Sequence, residues 1–182
     1  MASLMDEIFA YNKAFVENKD YEQYLTDKLP DKKLAILACM DTRLTGLLPA
    51  ALGLRNGDVK LIKNAGGTIA HPFGSVMRSL LVCVYEMDVK EIAVVGHNDC
   101  GMQGFDLHAI TEKMRMRGIP QERLEMVKYY GINLDAWLVG FENVQASVQD
   151  AVALIRRHPL MPEDVNVYGL LIDPLTGSLS WA

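Results

Sequence analysis

Cysteine is scarce in this chain of 182 residues, which contains only Cys39, Cys83 and Cys100. Such a small, odd number is not the framework of a disulfide-stapled secreted domain, so we expect reduced thiols. Reduced thiols are free to bind a metal. Cys83 lies in the strongly apolar segment SLLVCVYEM, and we predict that it packs in the core rather than serving as a ligand.

Long apolar runs and an excess of positive charge are also missing. No segment approaches the roughly 18 apolar residues of a membrane span, and MASLMDEIFA carries acids where a signal peptide carries basic residues. The formal net charge is -5, with 18 Lys and Arg against 23 Asp and Glu. This balance disfavours nucleic acid and anionic membranes as partners. The sequence therefore predicts a cytoplasmic protein with no nucleic-acid and no membrane partner.

The hydrophobic residues, which make up 50% of the chain, alternate between strand-like runs and segments of helical period. The order is strand KLAILAC, helix LTGLLPAALGL, strand DVKLIKN, helix PFGSVMRSLLVCVYEM and strand EIAVVGH. Continuously apolar strands joined by helices are typical of a parallel sheet that is covered on both faces. We therefore predict an α/β fold with a mostly parallel central sheet flanked by helices.

Helical segments flank this unit on both sides. An apolar stripe at helical spacing predicts an amphipathic N-terminal helix, through Leu4, Ile8, Tyr11 and Phe15. We assign residues 1–31 to a helical arm, with a second short helix at 21–28, whose apolar face covers its own domain or a partner's.

The second half of the chain continues the helical pattern and ends in strands. Helices are expected at about 105–129 and 139–158, followed by a strand, a turn at 173–177 and a last strand at the sheet edge. No internal repeat or linker interrupts the pattern, so we predict a single domain over residues 1–182.

Two of the predicted strands end in side chains that bind soft metals. The first ends in ILACMDTRL and the third in VVGHNDCGM. Binding sites in open α/β sheets form beyond the carboxyl ends of strands, where the strand order reverses. If that reversal lies between these two strands, Cys39, His97 and Cys100 converge. Such a set suits Zn²⁺ and leaves a fourth position open, as in catalytic zinc sites, although metal-free buried cysteines would also fit the spacing.

Asp41 and Arg43 follow Cys39 at alternate positions, so they can face one side and pair with each other. An ordinary surface ion pair is one interpretation. Beside a metal the pair would have a function, because zinc with two thiolates and a neutral histidine carries no net charge and acidifies bound water weakly. We then expect Asp41 to accept a hydrogen bond from that water, while Arg43 keeps Asp41 ionised and oriented.

At Cys39, Asp41, Arg43, His97 and Cys100 the sequence resembles the β-class carbonic anhydrases, whose zinc motif is Cys-x-Asp-x-Arg followed by His-x-x-Cys. The NAGG segment after the second strand is similar too, and the short length resembles the small bacterial and archaeal branch. The resemblance implies reversible hydration of CO₂ to bicarbonate and a proton by a zinc-bound hydroxide. It also implies a homodimer or higher homo-oligomer in which the N-terminal helix reaches a neighbour.

The sequence departs from the family pattern near the substrate. Plant-type members place a glutamine between the first motif and the second strand, and this segment has none. Lys63 stands where many members have arginine, and it could supply charge near the site or merely cap the strand. The amides of Gly66 and Gly67 could contact an anion, or these residues could simply form a tight turn. These three are the predicted substrate-binding positions.

Two other functions stay open: hydrolysis of COS or CS₂ on the same zinc site, and a non-catalytic zinc-stabilised module that binds a partner. Among the remaining polar residues, Asp99 is predicted to be a turn or cap residue. We predict that His108 and His158 lie on helix surfaces, and that His71 either begins a helix or carries protons near the pocket.

Overall fold

Five strands form one sheet in the computed structural model, which describes residues 2–182. They are β1 (Leu34–Cys39), β2 (Val59–Asn64), β3 (Glu91–His97), β4 (Asn166–Ile172) and β5 (Leu179–Trp181). The spatial order is β2-β1-β3-β4-β5, in which β5 pairs antiparallel with β4 and every other pair is parallel. The predicted single α/β domain, with a mostly parallel sheet and the last strand at its edge, is confirmed.

The α-helices of the described residues begin with α1 (Leu4–Glu17), which a capping box between Ser3 and Asp6 starts. The others are α2 (Leu44–Ala51), α3 (Ser75–Met87), α4 (Leu107–Met116), α5 (Gln121–Met126), α6 (Leu134–Trp137) and α7 (Val144–Arg156). Among residues 2–182, the structure contains no helix with the length and apolar character that crossing a membrane requires. The predicted N-terminal helix is confirmed.

Apolar layers cover both faces of the sheet. One face packs against α3 and α7, with fully buried side chains that include Leu37, Met77, Leu80, Ile92 and Ile155. The other face packs mainly against α2, and its buried side chains include Ile36, Leu44, Leu48, Val95 and Ile172. Because β1 and β3 are covered on both sides, their sequences are almost continuously apolar.

Some predicted boundaries differ from the structure. The helix expected from residue 139 begins at Val144, because the Asn143 side chain caps it and Phe141 instead bridges to Gln103. The short helix expected at 21–28 is a 3₁₀ turn, Asp20–Tyr24. The region expected to be helical at 105–129 is divided by a turn that contains Gly118, and α6 was not predicted.

The prediction that His158 lies on a helix surface is wrong, since only 4% of this residue is exposed. The chain turns back after α7, so His158 Nδ1 accepts a hydrogen bond from the Leu160 amide at 3.2 Å. Its ring packs on Phe73, with 5.0 Å between the ring centroids. His108 is exposed and Cys83 is buried, as predicted.

The strand order places the topological reversal next to β1. β2 and β3 pair with opposite sides of β1, and all three strands run in the same direction. The carboxyl ends of β1 and β3 therefore lie side by side, and these ends are Cys39 and His97.

Candidate metal centre

Cys39, His97 and Cys100 converge at the carboxyl edge of the sheet. Cys39 ends β1, His97 ends β3, and Cys100 lies in the loop that follows. All three are buried, and one candidate ligand atom from each lies within 4.8 Å of the others. The predicted convergence of two segments that are distant in sequence is confirmed, and the three residues could hold a metal ion.

The spacing of the two thiols fits a tetrahedral zinc ion. Their Sγ atoms are 3.8 Å apart. Two sulfurs bound to one tetrahedral Zn²⁺ at about 2.3 Å each would be separated by about 3.8 Å. The thiols are therefore already at the separation that such an ion requires.

His97 presents a buried ring nitrogen to this cluster. Its Nδ1 lies 2.8 Å from the Asn98 carbonyl oxygen, which assigns the hydrogen to Nδ1 and leaves a lone pair on Nε2. Nε2 is buried and has no hydrogen-bond partner among residues 2–182. Leaving a buried polar atom unpaired costs about 1–3 kcal/mol, and a metal ion would remove this cost.

Burial raises the pKa of the Cys100 thiol to about 11, and the nearby Cys39 thiol contributes to the rise. Without a cation, Cys100 is therefore protonated at neutral pH. A bound metal would favour the thiolate, so metal binding and loss of this proton are coupled.

The Asp41 carboxylate lies beside the cluster and is held by Arg43. The amide and Nε of Arg43 donate to Oδ1 at 2.9 and 3.0 Å, and one terminal nitrogen donates to Oδ2 at 2.8 Å. These hydrogen bonds lower the pKa of Asp41 to about 2, so it is ionised at neutral pH. Asp41 Oδ2 is also 3.9 Å from Nε2 of His97.

Arg43 has a second partner that the sequence did not indicate. Its other terminal nitrogen donates to the Asp99 carboxylate at 2.8 Å, and the nitrogen that contacts Asp41 also donates to the Asp99 carbonyl at 2.8 Å. Asp99 does lie in a turn, as predicted. No sequence signal revealed its contact with Arg43, because the two residues are 56 positions apart.

The glycines that follow β2 pack on the ligand-bearing segment. Gly67 has φ +64°, and a Cβ atom there would lie 3.0 Å from the Cys39 amide nitrogen. Gly66 has φ +79°, and a Cβ atom there would lie 3.1 Å from the Phe141 ring. Both positions therefore require glycine, because a side chain at either one would crowd neighbouring atoms of the protein. Their contact with substrate stays a prediction.

Lys63 lies in β2, where it pairs in register with Ala38, and it is half-buried. Its predicted role toward substrate stays a prediction. The next residue, Asn64, fixes the glycine turn by donating to the Thr68 carbonyl and accepting from the Thr68 amide, at 2.7 and 3.1 Å.

His71 is exposed, and its Nδ1 accepts a hydrogen bond from the Phe73 amide just before α3 begins. This contact is structural, and proton transfer by His71 stays a prediction.

The position of the cluster defines the class of protein. Its candidate ligands lie at and beyond the carboxyl ends of two neighbouring parallel strands, at the point where the strand order reverses. The ionised carboxylate of Asp41 lies beside them. These features are those of an α/β enzyme whose candidate site could hold a metal ion.

Comparisons with known proteins narrow the class to one family. The family model for carbonic anhydrase matches residues 34–179. YtiB of Bacillus subtilis (strain 168), a protein provisionally named as a carbonic anhydrase, is 55% identical over 177 residues, which cover 97% of this chain and 95% of YtiB. The crystal structure of β-carbonic anhydrase isoform I (TvaCA1) from Trichomonas vaginalis superposes with a TM-score of 0.90 at 33% identity, covering 99% of this chain and 97% of that one.

A carbon disulfide hydrolase of Acidithiobacillus thiooxidans is 29% identical over 157 residues, which cover 82% of this chain and 76% of the hydrolase. The chain belongs to the β-carbonic anhydrase family of enzymes.

Replacing Gly67 with alanine should disturb the metal centre. The new residue would be held at φ +64°, and its Cβ would press on the backbone nitrogen of Cys39, which cannot shift without moving a ligand. We expect a loss of about 1 kcal/mol or more in the free energy of unfolding, measured by chemical denaturation, together with a lower zinc content. Gly101→Ala is the control, because a Cβ atom there meets no atom within 4 Å. Wild-type stability and zinc content in Gly67→Ala would contradict the expectation.

Proposed function

We propose that this chain catalyses the zinc-dependent reversible hydration of CO₂ to bicarbonate and a proton. One observation carries the proposal: the Asp41 carboxylate, held ionised by Arg43, lies 3.9 Å from the unpaired Nε2 of His97. A fixed hydrogen-bond acceptor is therefore beside the candidate ligand atoms.

Zn²⁺ is the ion that we propose for this centre, with Cys39, His97 and Cys100 as its ligands. Two thiolates and an imidazole suit zinc, and three protein ligands leave one position for a water. Zinc, when bound, would supply the positive charge that lowers the pKa of this water.

Asp41 has one hydrogen-bonding direction left for the reacting water. An ionised carboxylate has about four acceptor directions. Arg43 donates to Asp41 Oδ1 twice and to Oδ2 once, which leaves one direction on Oδ2. Oδ2 is also the oxygen that approaches His97. We propose that Asp41 Oδ2 accepts a hydrogen bond from the water and aims the lone pair of its oxygen at the carbon of CO₂.

The hydrogen bonds from Arg43 keep Asp41 ionised, so that it can accept this hydrogen bond. With a pKa of about 2, Asp41 stays an acceptor throughout the neutral range and does not give a proton back to the nucleophile. The product proton must therefore leave by another route, and we propose that it passes to solvent.

The surroundings of the cluster suit a small uncharged substrate. Met102 and Phe141 pack against the apolar layer that contains Cys39 and Cys100, so one wall beside the candidate site is apolar. For the anionic product, we propose contacts with Lys63 and with the amides of Gly66 and Gly67. The support for these three is their position on β2 and on the turn that packs against Cys39.

Hydrolysis of CS₂ or COS is the second candidate function. It is favoured by the relative named carbon disulfide hydrolase, which is 29% identical to this chain. CS₂ and COS share the linear, apolar shape of CO₂, so the same acceptor and ion could act on them. We take CO₂ as the first candidate, and the support for this order is the greater identity, 55%, to a protein provisionally named as a carbonic anhydrase.

We also propose that the chain works in the cytoplasm as a homodimer or larger homo-oligomer. The three cysteines are free thiols, which a reducing compartment maintains. Helix α1 has no buried residue, and Leu4, Ile8 and Tyr11 are 71%, 48% and 75% exposed. An isolated helix of 14 residues is marginally stable in water, so its apolar side needs a surface, and a second copy of the chain would supply one.

The assembly can be tested on α1 itself. The wild-type chain should have the mass of two or more chains by light scattering after size exclusion, and the double variant Leu4→Glu, Ile8→Glu should shift it toward one chain. Folding should survive, because no residue of α1 is buried in its own chain. Lys13→Gln on the same helix is the control. A wild-type protein that is monomeric at micromolar concentration would contradict this proposal.

The central test of the proposed function is CO₂ hydration by the zinc-loaded chain, followed by stopped flow between pH 7 and 9. We expect Asp41→Asn to lower kcat about 100-fold or more, because the amide keeps the shape of the side chain but lacks the charge that orients the water. Glu163→Gln, at an exposed acid distant from the centre, should match the wild type. Zinc-loaded protein that is inactive on CO₂ would overturn the proposal, and turnover of COS and CS₂ in the same samples would identify the alternative.

Zinc uptake by metal-free protein should release protons. The Cys100 thiol, with a pKa raised to about 11, is protonated at neutral pH, so the ion must displace this proton. The apparent affinity should therefore rise about tenfold per pH unit for each proton displaced. Titration calorimetry in buffers of different ionisation enthalpy measures the number. Cys83→Ala should release the same number as the wild type, and an affinity that does not vary between pH 7 and 9 would contradict the coupling.

A further inference from the structure

The guanidinium group of Arg43 bridges the two segments that carry the candidate ligands. On one side it holds Asp41, two residues after Cys39, and on the other it holds Asp99, the residue before Cys100. The pairing of β1 with β3 ends at Ala38 and Val95. All three candidate ligands therefore lie beyond the last rung of that ladder, in the region where Arg43 makes the cross-connection.

Asp99 can make both of its contacts because of its backbone conformation. Its φ of +54° lies in the left-handed region, which aspartate tolerates and β-branched residues avoid. In this conformation its carboxylate and its carbonyl oxygen each accept a hydrogen bond from Arg43, both at 2.8 Å. With the two contacts to Asp41, four of the five guanidinium N–H groups have partners, so the plane of the group is fixed.

The two contacts of Asp99 should differ in importance. Its carboxylate is 85% exposed, and an exposed ion pair contributes little by itself. The carbonyl contact depends on the left-handed turn rather than on the side chain. Substitutions at Asp99 can therefore distinguish the effect of the left-handed turn from the effect of the carboxylate.

We propose that Asp99 is a positioning residue for the metal centre. Its left-handed turn directs the backbone carbonyl oxygen at Arg43 and holds Arg43 in place, which sets the separation of Cys39 from Cys100 and the orientation of Asp41 before an ion binds. Asp99 acts through Arg43 and contacts neither the ion nor the substrate. The inference rests on the proposed function, because it assumes that the centre binds a metal.

The test compares substitutions that keep the turn with one that opposes it. Asp99→Val removes the carboxylate and disfavours the left-handed conformation. We expect it to weaken Zn²⁺ binding about 10- to 100-fold, measured by competition with a chromophoric chelator. In zinc-saturated protein, kcat should fall by a similar factor with KM unchanged. Asp99→Asn and Asp99→Gly both tolerate the turn and should stay within about threefold of the wild type in affinity and kcat.

Asp88→Val is the matched control. Asp88 is another aspartate in the left-handed region, with φ +52°, but it follows the last residue of α3, before β3 begins, at the opposite end of the sheet. This variant should lose stability to the same backbone strain while it binds Zn²⁺ like the wild type. If Asp99→Val does not fold, Asp99→Ala and Asp88→Ala make the same comparison. We expect Asp99→Ala to lose about tenfold in Zn²⁺ affinity and Asp88→Ala to keep the affinity of the wild type.

The failure of this inference can be told from the failure of the proposed function. Wild-type Zn²⁺ affinity and kcat in folded Asp99→Val or Asp99→Ala would overturn it, because Asp99 would then be a turn residue only. A wild-type protein that binds zinc without hydrating CO₂ would overturn the proposed function. In that case, a loss of zinc affinity in the Asp99 variant that the matched Asp88 variant does not share would still support the positioning role.

Discussion

The candidate centre depends on one constraint, the parallel pairing of β1 with β3 while β2 occupies the other side of β1. Because these three strands run in the same direction, the chain must return through α2 and α3 before each new strand, and all three strands end at the same edge. The last residues of β1 and β3 then meet although they are far apart in sequence. The buried layers beneath them are continuous on both faces, so the position of this edge is held by the whole core.

The protonation states of Cys100 and Asp41 at this edge are set by burial and by the positive charge of Arg43. Burial keeps Cys100 protonated unless a positive ion arrives, while Arg43 keeps Asp41 ionised at the same pH. The pKa values of these two acids are therefore shifted in opposite directions at the same edge of the sheet. The thiol must lose its proton when a cation binds in the cluster, whereas the carboxylate is already ionised without one. With the proposed zinc bound, the centre would be neutral, and the proposed acceptor Asp41 would then be more important than it would be beside an all-histidine site.

The sequence predicted the parts of the fold that periodicity and strand ends encode. The five strands, α1 and the convergence of Cys39 with His97 follow from apolar patterns that local sequence carries. Two of the misses depend on tertiary contacts. The contact of Asp99 with Arg43 and the burial of His158 join residues whose surroundings are set only after folding. A pattern of side chains along one segment does not reveal which distant groups will meet it.

The misplaced start of α7 shows how such a contact serves the centre. Phe141 was predicted to continue the helix, but its amide donates to the Met102 carbonyl, and its own carbonyl accepts from the Gly104 amide. These bonds bring residues 141–143 against the loop that follows Cys100, and the Phe141 ring then packs close to Gly66. Three loops, two from the middle third of the chain and one from the last third, are thereby held together at one edge of the sheet. The surroundings of the ligands therefore depend on the second half of the chain, although every candidate ligand comes from residues 39–100.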